Sequence, residues 1–361
     1  MIIDRIGIHI MNKKHLKWIF YLATPLVILL IPFSGGINLS KYFRTIVLHP
    51  QKTGVATFHY FDQERNRPII TEIWYPVDQE IPAYAPSGFW LRCDEARDAP
   101  LSNQKTQYPL ILLSHGSGGD RYTISWLAEI FAANGYIVAA MDHYGNTWNN
   151  KIPEHYARAW ERPKDISFVL DQLLTSSQFK DRIDQSKIGF AGYSLGGATG
   201  LWIAGAEADV VDIANVRNHC IQDLGEIVSA DVIEKIDFKQ AGGSFIDKRI
   251  SAMVLMAPAL GWLFDKTSLE SIDIPVFIFA AESDQVVPVE SNAKIFAKKM
   301  TRASLKIFPG EANHYVFLGR ATVVGKRFLD PKYCTDPVSI DRKQVHDEVA
   351  KSSVLFFDKT L

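Results

Sequence analysis

Residues 187–206 leave this chain little freedom. Residues 187–191 are a short apolar run of strand type, and residues 195–206 are an Ala- and Gly-rich run of helix type. Between and across them lies Gly192-Tyr-Ser-Leu-Gly-Gly197. A strand that becomes a helix so abruptly needs small residues around the turn. The turn lifts the hydroxyl of Ser194 to the strand's C-terminal end.

The rest of the chain repeats that rhythm. Strand signals fall at residues 55–61, 69–75, 110–113, 136–141, 252–256, 276–280 and 305–308, and helix signals at 123–133, 163–174, 291–300 and 342–357. Apolar strands alternating with helices predict an α/β fold with a mostly parallel central sheet flanked by helices. Residues 82–105 read as a polar surface loop. Residues 209–248 are polar, carry Gly242 and Gly243, and are too long for an ordinary connection, so they are expected to form an inserted cap or lid. No internal repeat is present.

The N-terminus has a different character. Arg5, Lys13, Lys14 and Lys17 precede an apolar run at 18–33, followed by Ser34, Gly35 and Gly36. A basic start, a short apolar core and small residues predict a signal peptide over 1–36 and a single domain over 37–361. The expected destination is the periplasm or the exterior. Left uncleaved, the segment would anchor the chain to a membrane.

Composition narrows the partners. The formal net charge of the 361 residues is −1, with no basic excess to hold nucleic acid. Cys93, Cys220 and Cys334 lack zinc-ligand spacing, so no metal is expected. An oxidising compartment would allow one pair among them, and no pairing is favoured.

A serine hydroxyl needs a base, and the base needs an orienting acid. Ten histidines occur, of which only His219, His314 and His346 follow Ser194. His314 lies just past the last apolar strand, whereas His219 falls in the inserted stretch and His346 in the terminal helix. Asp284 ends the polar turn after the strand at 276–280. Glu282 is the neighbouring alternative, and Asp265 and Asp273 do not directly follow a strand. The expected array is therefore Ser194, Asp284 and His314. An oxyanion formed by attack of Ser194 needs preorganised N–H donors. The backbone N–H groups of Leu195 and of Ser117, in Ser114-His-Gly-Ser-Gly-Gly119, are the candidates. That loop lacks the Gly-Lys-Ser/Thr ending of a nucleotide-phosphate loop. His115 is out of chain order for a base and reads as a structural residue of the loop.

Four stretches together carry a family resemblance: Ser114-His-Gly-Ser-Gly-Gly119, Asp142-His-Tyr-Gly-Asn-Thr147, Arg162-Pro-Lys-Asp165 and Gly192-Tyr-Ser-Leu-Gly-Gly197. With Ile73-Trp-Tyr-Pro76, they resemble the α/β-hydrolase group of predicted dienelactone hydrolases and platelet-activating-factor acetylhydrolases. Cutinase-like polyester hydrolases are more distant. The resemblance covers about residues 53–357. It implies a serine carboxylic-ester hydrolase without cofactor or metal, acting on a small-molecule or lipid ester. It maps nucleophile, base and acid onto Ser194, His314 and Asp284. The acid can instead follow the preceding strand in acetylhydrolases, but Met256-Ala-Pro-Ala-Leu260 offers no carboxylate there. Dienelactone hydrolases themselves use cysteine where this chain has Ser194. A serine peptidase or a non-catalytic binding protein on the same fold are the competing readings. Trp126, Tyr144, Trp148 and Trp262 are candidates for a substrate pocket or for the core.

Overall fold

The computed structural model describes residues 45–176 and 178–361. The expected signal peptide lies outside the described residues. The strands are β1 (Lys52–Asp62), β2 (Arg67–Tyr75), β3 (Asp94–Arg97), β4 (Tyr108–Ser114), β5 (Ile137–Met141), β6 (Ile183–Tyr193), β7 (Ala252–Met256), β8 (Val276–Ala281) and β9 (Ala303–Phe308). They form one sheet in the order β3-β1-β2-β5-β4-β6-β7-β8-β9. From β5 to β9 every pairing is parallel, while β2 runs antiparallel to both β1 and β5.

Helices cover both faces, which is why the central strands are apolar without alternation. Leu110 and Leu112 of β4 face one core with α3 (Glu161–Thr175) and α4 (Leu195–Ile203). Ile111 and Leu113 face the other, with α1 (Ser125–Ala133) and α11 (Arg342–Thr360). The alternation is the two-residue period of a strand. Strand order reverses direction of travel at β4: the chain goes outward to β5, then back past β4 to β6. Such a switch point opens a crevice at the strands' C-terminal ends.

One expectation needs correction. Residues 82–105 are not wholly loop, because β3 pairs in parallel with β1 from Lys52↔Asp94 to Val55↔Arg97. Residues 209–248 carry α5 (Ile213–Leu224), α6 (Ala230–Glu234) and a 3-10 turn at Phe238–Gly242, held by the side-chain caps of Asp212 and Asp237. Cys93, Cys220 and Cys334 are all free thiols. Among the described residues no helix is long and apolar enough to cross a membrane.

Candidate active site

Ser194 sits at the turn between β6 and α4 with φ 55° and ψ −117°. For a non-glycine residue that conformation costs about 1–3 kcal/mol, so the surroundings must enforce it. Ser194 N–H donates to Met256 O at 2.9 Å, and its carbonyl accepts from Ala198 and Ala259 N–H at 3.2 and 3.1 Å. The flanking glycines are obligatory. A Cβ at Gly192 would lie 2.3 Å from Gly196 O, and one at Gly196 would lie 2.0 Å from Ser114 O.

Asp284 and His314 come from the ends of the next strands along the sheet. Asp284 follows β8, and its Oδ1 accepts from the N–H groups of Val286 and Val287 at 2.9 and 2.7 Å. Those bonds fix the carboxylate and leave Oδ2 for His314 Nδ1, 2.7 Å away. His314 follows β9, and its Nε2 is 3.0 Å from Ser194 Oγ. A carboxylate only accepts, so Nδ1 carries the proton and Nε2 is free to accept from the serine. All three are buried, with Ser194 the most accessible at 8%. The Tyr193 hydroxyl donates to His314 O at 3.1 Å and steadies the histidine backbone. Burial first, and the nearby Asp284 charge second, push the Tyr193 phenol well above its ordinary range, so it stays a donor.

Ser117 and Leu195 line the same cavity as Ser194. Neither of their N–H groups has a protein acceptor among the described residues. The cavity measures about 210 Å³ and is walled by Tyr156, Trp160, Trp202, Phe238, Leu260 and Trp262. Val216, Cys220 and Leu224 of α5 close one side, so the inserted stretch shapes it. A wider cleft of about 600 Å³ lies between Tyr84, Arg92, Arg121 and Trp148 and includes none of Ser194, Asp284 and His314.

The other candidates fall elsewhere. Glu282 is spent on Gly310 N–H at 2.5 Å, and Asp265 caps the helix α7 (Lys266–Glu270) through Ser268 N–H at 2.7 Å. His219 stacks on Trp262 at 4.4 Å, and His346 stacks on Trp126 at 3.8 Å in the core. Burial pushes His346 down to about 3, so it is neutral. Of the four aromatic candidates, Trp262 reaches the cavity beside Ser194. Trp126 is core and donates to Phe317 O at 3.0 Å, Trp148 lines the wider cleft, and Tyr144 packs on His155.

Sequence reasoning missed a second Ser–His–Asp array. Ser114 Oγ is 2.9 Å from His143 Nε2, and His143 Nδ1 is 2.9 Å from Asp165 Oδ2. All three side chains are fully buried. The signal was present, because His143 and Asp165 lie in two of the family-like stretches, but nothing in their spacing says that they meet.

The comparisons with known proteins agree with the fold. The family "Platelet-activating factor acetylhydrolase, isoform II" matches residues 89–150, which hold β4, the Ser117 loop, α1, β5 and Asp142–Thr147. Cutinase est1 of Thermobifida alba is 24% identical over 57% of this chain and 52% of its own length. A second relative, Cutinase est2 of the same organism, is 31% identical over 30% of this chain and 33% of its own length. The chain thus spans about half or less of these relatives. Lysophosphatidylserine lipase ABHD12 of Danio rerio is 24% identical, with 79% of this chain and 72% of that protein covered. A ferulic acid esterase from Streptomyces cinnamoneus superposes with a TM-score of 0.60 at 21% identity, covering 86% of this chain and 90% of that one. The chain thus has the α/β-hydrolase fold, and its residues 89–150 are similar to the platelet-activating-factor acetylhydrolases.

Proposed function

We propose that the protein is a serine carboxylic-ester hydrolase that works through an acyl-enzyme. Ser194 Oγ attacks the acyl carbonyl while His314 Nε2 takes its proton. Asp284 holds the imidazole in the required tautomer and stabilises its cation. The N–H groups of Leu195 and Ser117 receive the oxyanion, with the N-terminal end of α4 adding its dipole. The tetrahedral species collapses, the C–O bond to the alcohol breaks, and His314 returns the proton to the leaving oxygen. Water, deprotonated by His314, then releases the acid and restores Ser194.

The observation that carries this reading is the unbroken chain from Asp284 through His314 to a strained serine facing an apolar cavity. That cavity suits the acyl part of an ester, and the cutinase, lipase and esterase names of the relatives support an ester substrate. The α5 wall makes the inserted stretch the part that sets acyl length. The basic, then apolar, leader at 1–36 supports export. Fractionation with N-terminal sequencing of the mature protein tests that point.

Hydrolysis of p-nitrophenyl acetate, butyrate and longer esters tests the activity, with Ser194→Ala as reference. Turnover that vanishes in the variant is expected. Equal rates in the two folded proteins would end the reading and favour a binding role, while cleavage of peptide substrates alone would favour a peptidase.

A further inference from the structure

Two family-like stretches, Asp142–Thr147 and Arg162–Asp165, supply no member of the Ser194 array. They gather instead behind the loop that carries Ser117. Asn146 Oδ1 accepts from Gly118 N–H at 2.8 Å. Arg162, fully buried, donates to the His115 carbonyl through Nη2. His143 donates its backbone N–H to His115 Nε2 at 3.2 Å. The imidazole of His143 ties Ser114 to Asp165, and Asp165 is gripped by Arg67 at 3.0 and 2.8 Å and by Arg65 at 2.8 Å.

The consequence falls on one peptide. His115 Nδ1 lies 2.6 Å from Gly116 O. Two acceptors do not meet that closely, and Nε2 accepts from the His143 N–H, so Nδ1 carries the proton; Arg162 Nη2, 3.3 Å from Nδ1, then donates to the His115 carbonyl instead. Gly119 N–H adds a second bond to the same carbonyl at 3.2 Å. In a trans peptide the C=O and the following N–H point in opposite directions. Pinning Gly116 C=O toward the buried side therefore turns the N–H of Ser117 away from it. Gly116 itself sits against the nucleophile's turn, where an added Cβ would be 3.3 Å from Ser194 Cβ. The N–H groups of Gly118 and Gly119 are already engaged, which leaves that of Ser117 unengaged.

We propose that His115, held by His143 and Arg162, is a positioning residue that fixes the Gly116–Ser117 peptide so that the Ser117 N–H meets the oxyanion. The proposal rests on the ester-hydrolase reading above. It gives the buried network a role in the rate: an amide free to rotate would have to be reoriented at each turnover, whereas a pinned one is preorganised. Burial, reinforced by the Arg162 charge, lowers the His115 pKa well below its ordinary value, so the ring stays neutral and keeps the tautomer.

Four variants test it on p-nitrophenyl butyrate: Ser117→Pro, His115→Ala, His115→Asn, and His115→Ala combined with Ser117→Pro. Ser117→Pro removes the donor outright and should lower kcat about 10²- to 10³-fold. His115→Ala should lower kcat by about 10²-fold with KM changed less than about threefold, since the oxyanion exists only in the transition state. The amide nitrogen of asparagine sits near the place of Nδ1, so His115→Asn should recover most of the rate. The double variant should be no slower than Ser117→Pro alone, because both changes act on one N–H. A trifluoromethyl ketone, which forms a tetrahedral oxyanion on serine, should lose affinity in step with kcat. Circular dichroism and melting curves on each variant separate this from misfolding.

The proposal is overturned if His115→Ala, folded, keeps kcat and inhibitor affinity while Ser117→Pro loses both. It is also overturned if the two losses multiply in the double variant, or if His115→Asn, folded, is as slow as His115→Ala. If Ser117→Pro itself is silent while Ser194→Ala is dead, the assignment of Ser117 as oxyanion donor falls and this proposal falls with it. The ester-hydrolase reading then stands on Ser194.

Discussion

The molecule holds two Ser–His–Asp arrays built to nearly the same distances. Around Ser194 they are 3.0 and 2.7 Å, and around Ser114 they are 2.9 and 2.9 Å. What differs is the surroundings. Ser194 stands on a strained turn at the mouth of a cavity, with two unengaged N–H groups beside it. Ser114 ends β4 with no access to solvent. Asp284 is steadied by two backbone N–H groups, whereas Asp165 carries two arginines. Burial and the neighbouring Arg162 push His143 down to about 3, while against burial, which raises it, the His143 hydrogen bond and the Arg67 charge hold Asp165 below the usual carboxylate range. An imidazole so reluctant to take a proton is a poor general base. Residue types and distances therefore do not make a catalytic array; access and the cost of charging the histidine do.

Matched substitutions sharpen that contrast. Ser194→Ala should cut kcat by about 10⁶-fold, as loss of a serine nucleophile does where triad, oxyanion donors and binding act together. Ser114→Ala should leave kcat within about tenfold. A comparable collapse in Ser114→Ala with the fold intact would break the comparison, and ester turnover read beside circular dichroism decides it.

The acids should separate in the same way with different readouts. Asp284→Asn should lower kcat about 10⁴-fold through the wrong histidine tautomer, with little change in urea midpoint. Asp165→Asn should instead destabilise the fold by about 3–5 kcal/mol, because it strands the buried charge of Arg67, whereas Arg65 keeps Asp62. Sign and pH window follow from His143. Its folded pKa is near 3 against about 6.5 unfolded, so the unfolded state binds the extra proton between those values. The neutral buried histidine thus contributes stability above about pH 6.5 that is lost progressively toward pH 3. Urea midpoints should fall for the parent as pH drops from about 4.5 toward 3, and a flat profile there would contradict a sealed network.

Much of this was legible from residue order. The parallel core could be read because β5 and β7 are apolar throughout, as burial on both faces demands. The Ser194 array could be read because chain order and strand ends restrict each role to one good candidate. β3 could not. Its sequence Asp-Glu-Ala-Arg has no strand pattern, and it is a strand because its backbone completes the edge at β1 while Glu95 pairs with Arg92 and Arg97. The helices of 209–248 were equally hidden, since they are short and take their stability from packing against the core. The Ser114 array was missed for a third reason: unlike the Ser194 array, no turn motif or chain order marks its members, which meet only through tertiary packing.

A third buried carboxylate sharpens the comparison further. Glu129 in α1 is buried, at 5% exposure, but no arginine grips it. Its Oε2 accepts one bond, from Cys93 N–H at 3.1 Å, and its Oε1 has none. Burial pushes it up to about 8, outweighing the Cys93 bond and the more distant Arg92. The sign is opposite to that of Asp165. The folded state holds a proton that the unfolded state releases above about 4.5, so Glu129 removes stability as pH rises from there toward 8. Glu129→Gln should therefore match the parent near pH 4.5 and melt higher by several degrees, about 4 °C or more, at pH 8.5. Melting curves of the two proteins at both pH values check this. A gap that closes with rising pH would mean that Glu129 is ionised and compensated, and burial without a cation would then not distinguish it from Asp165.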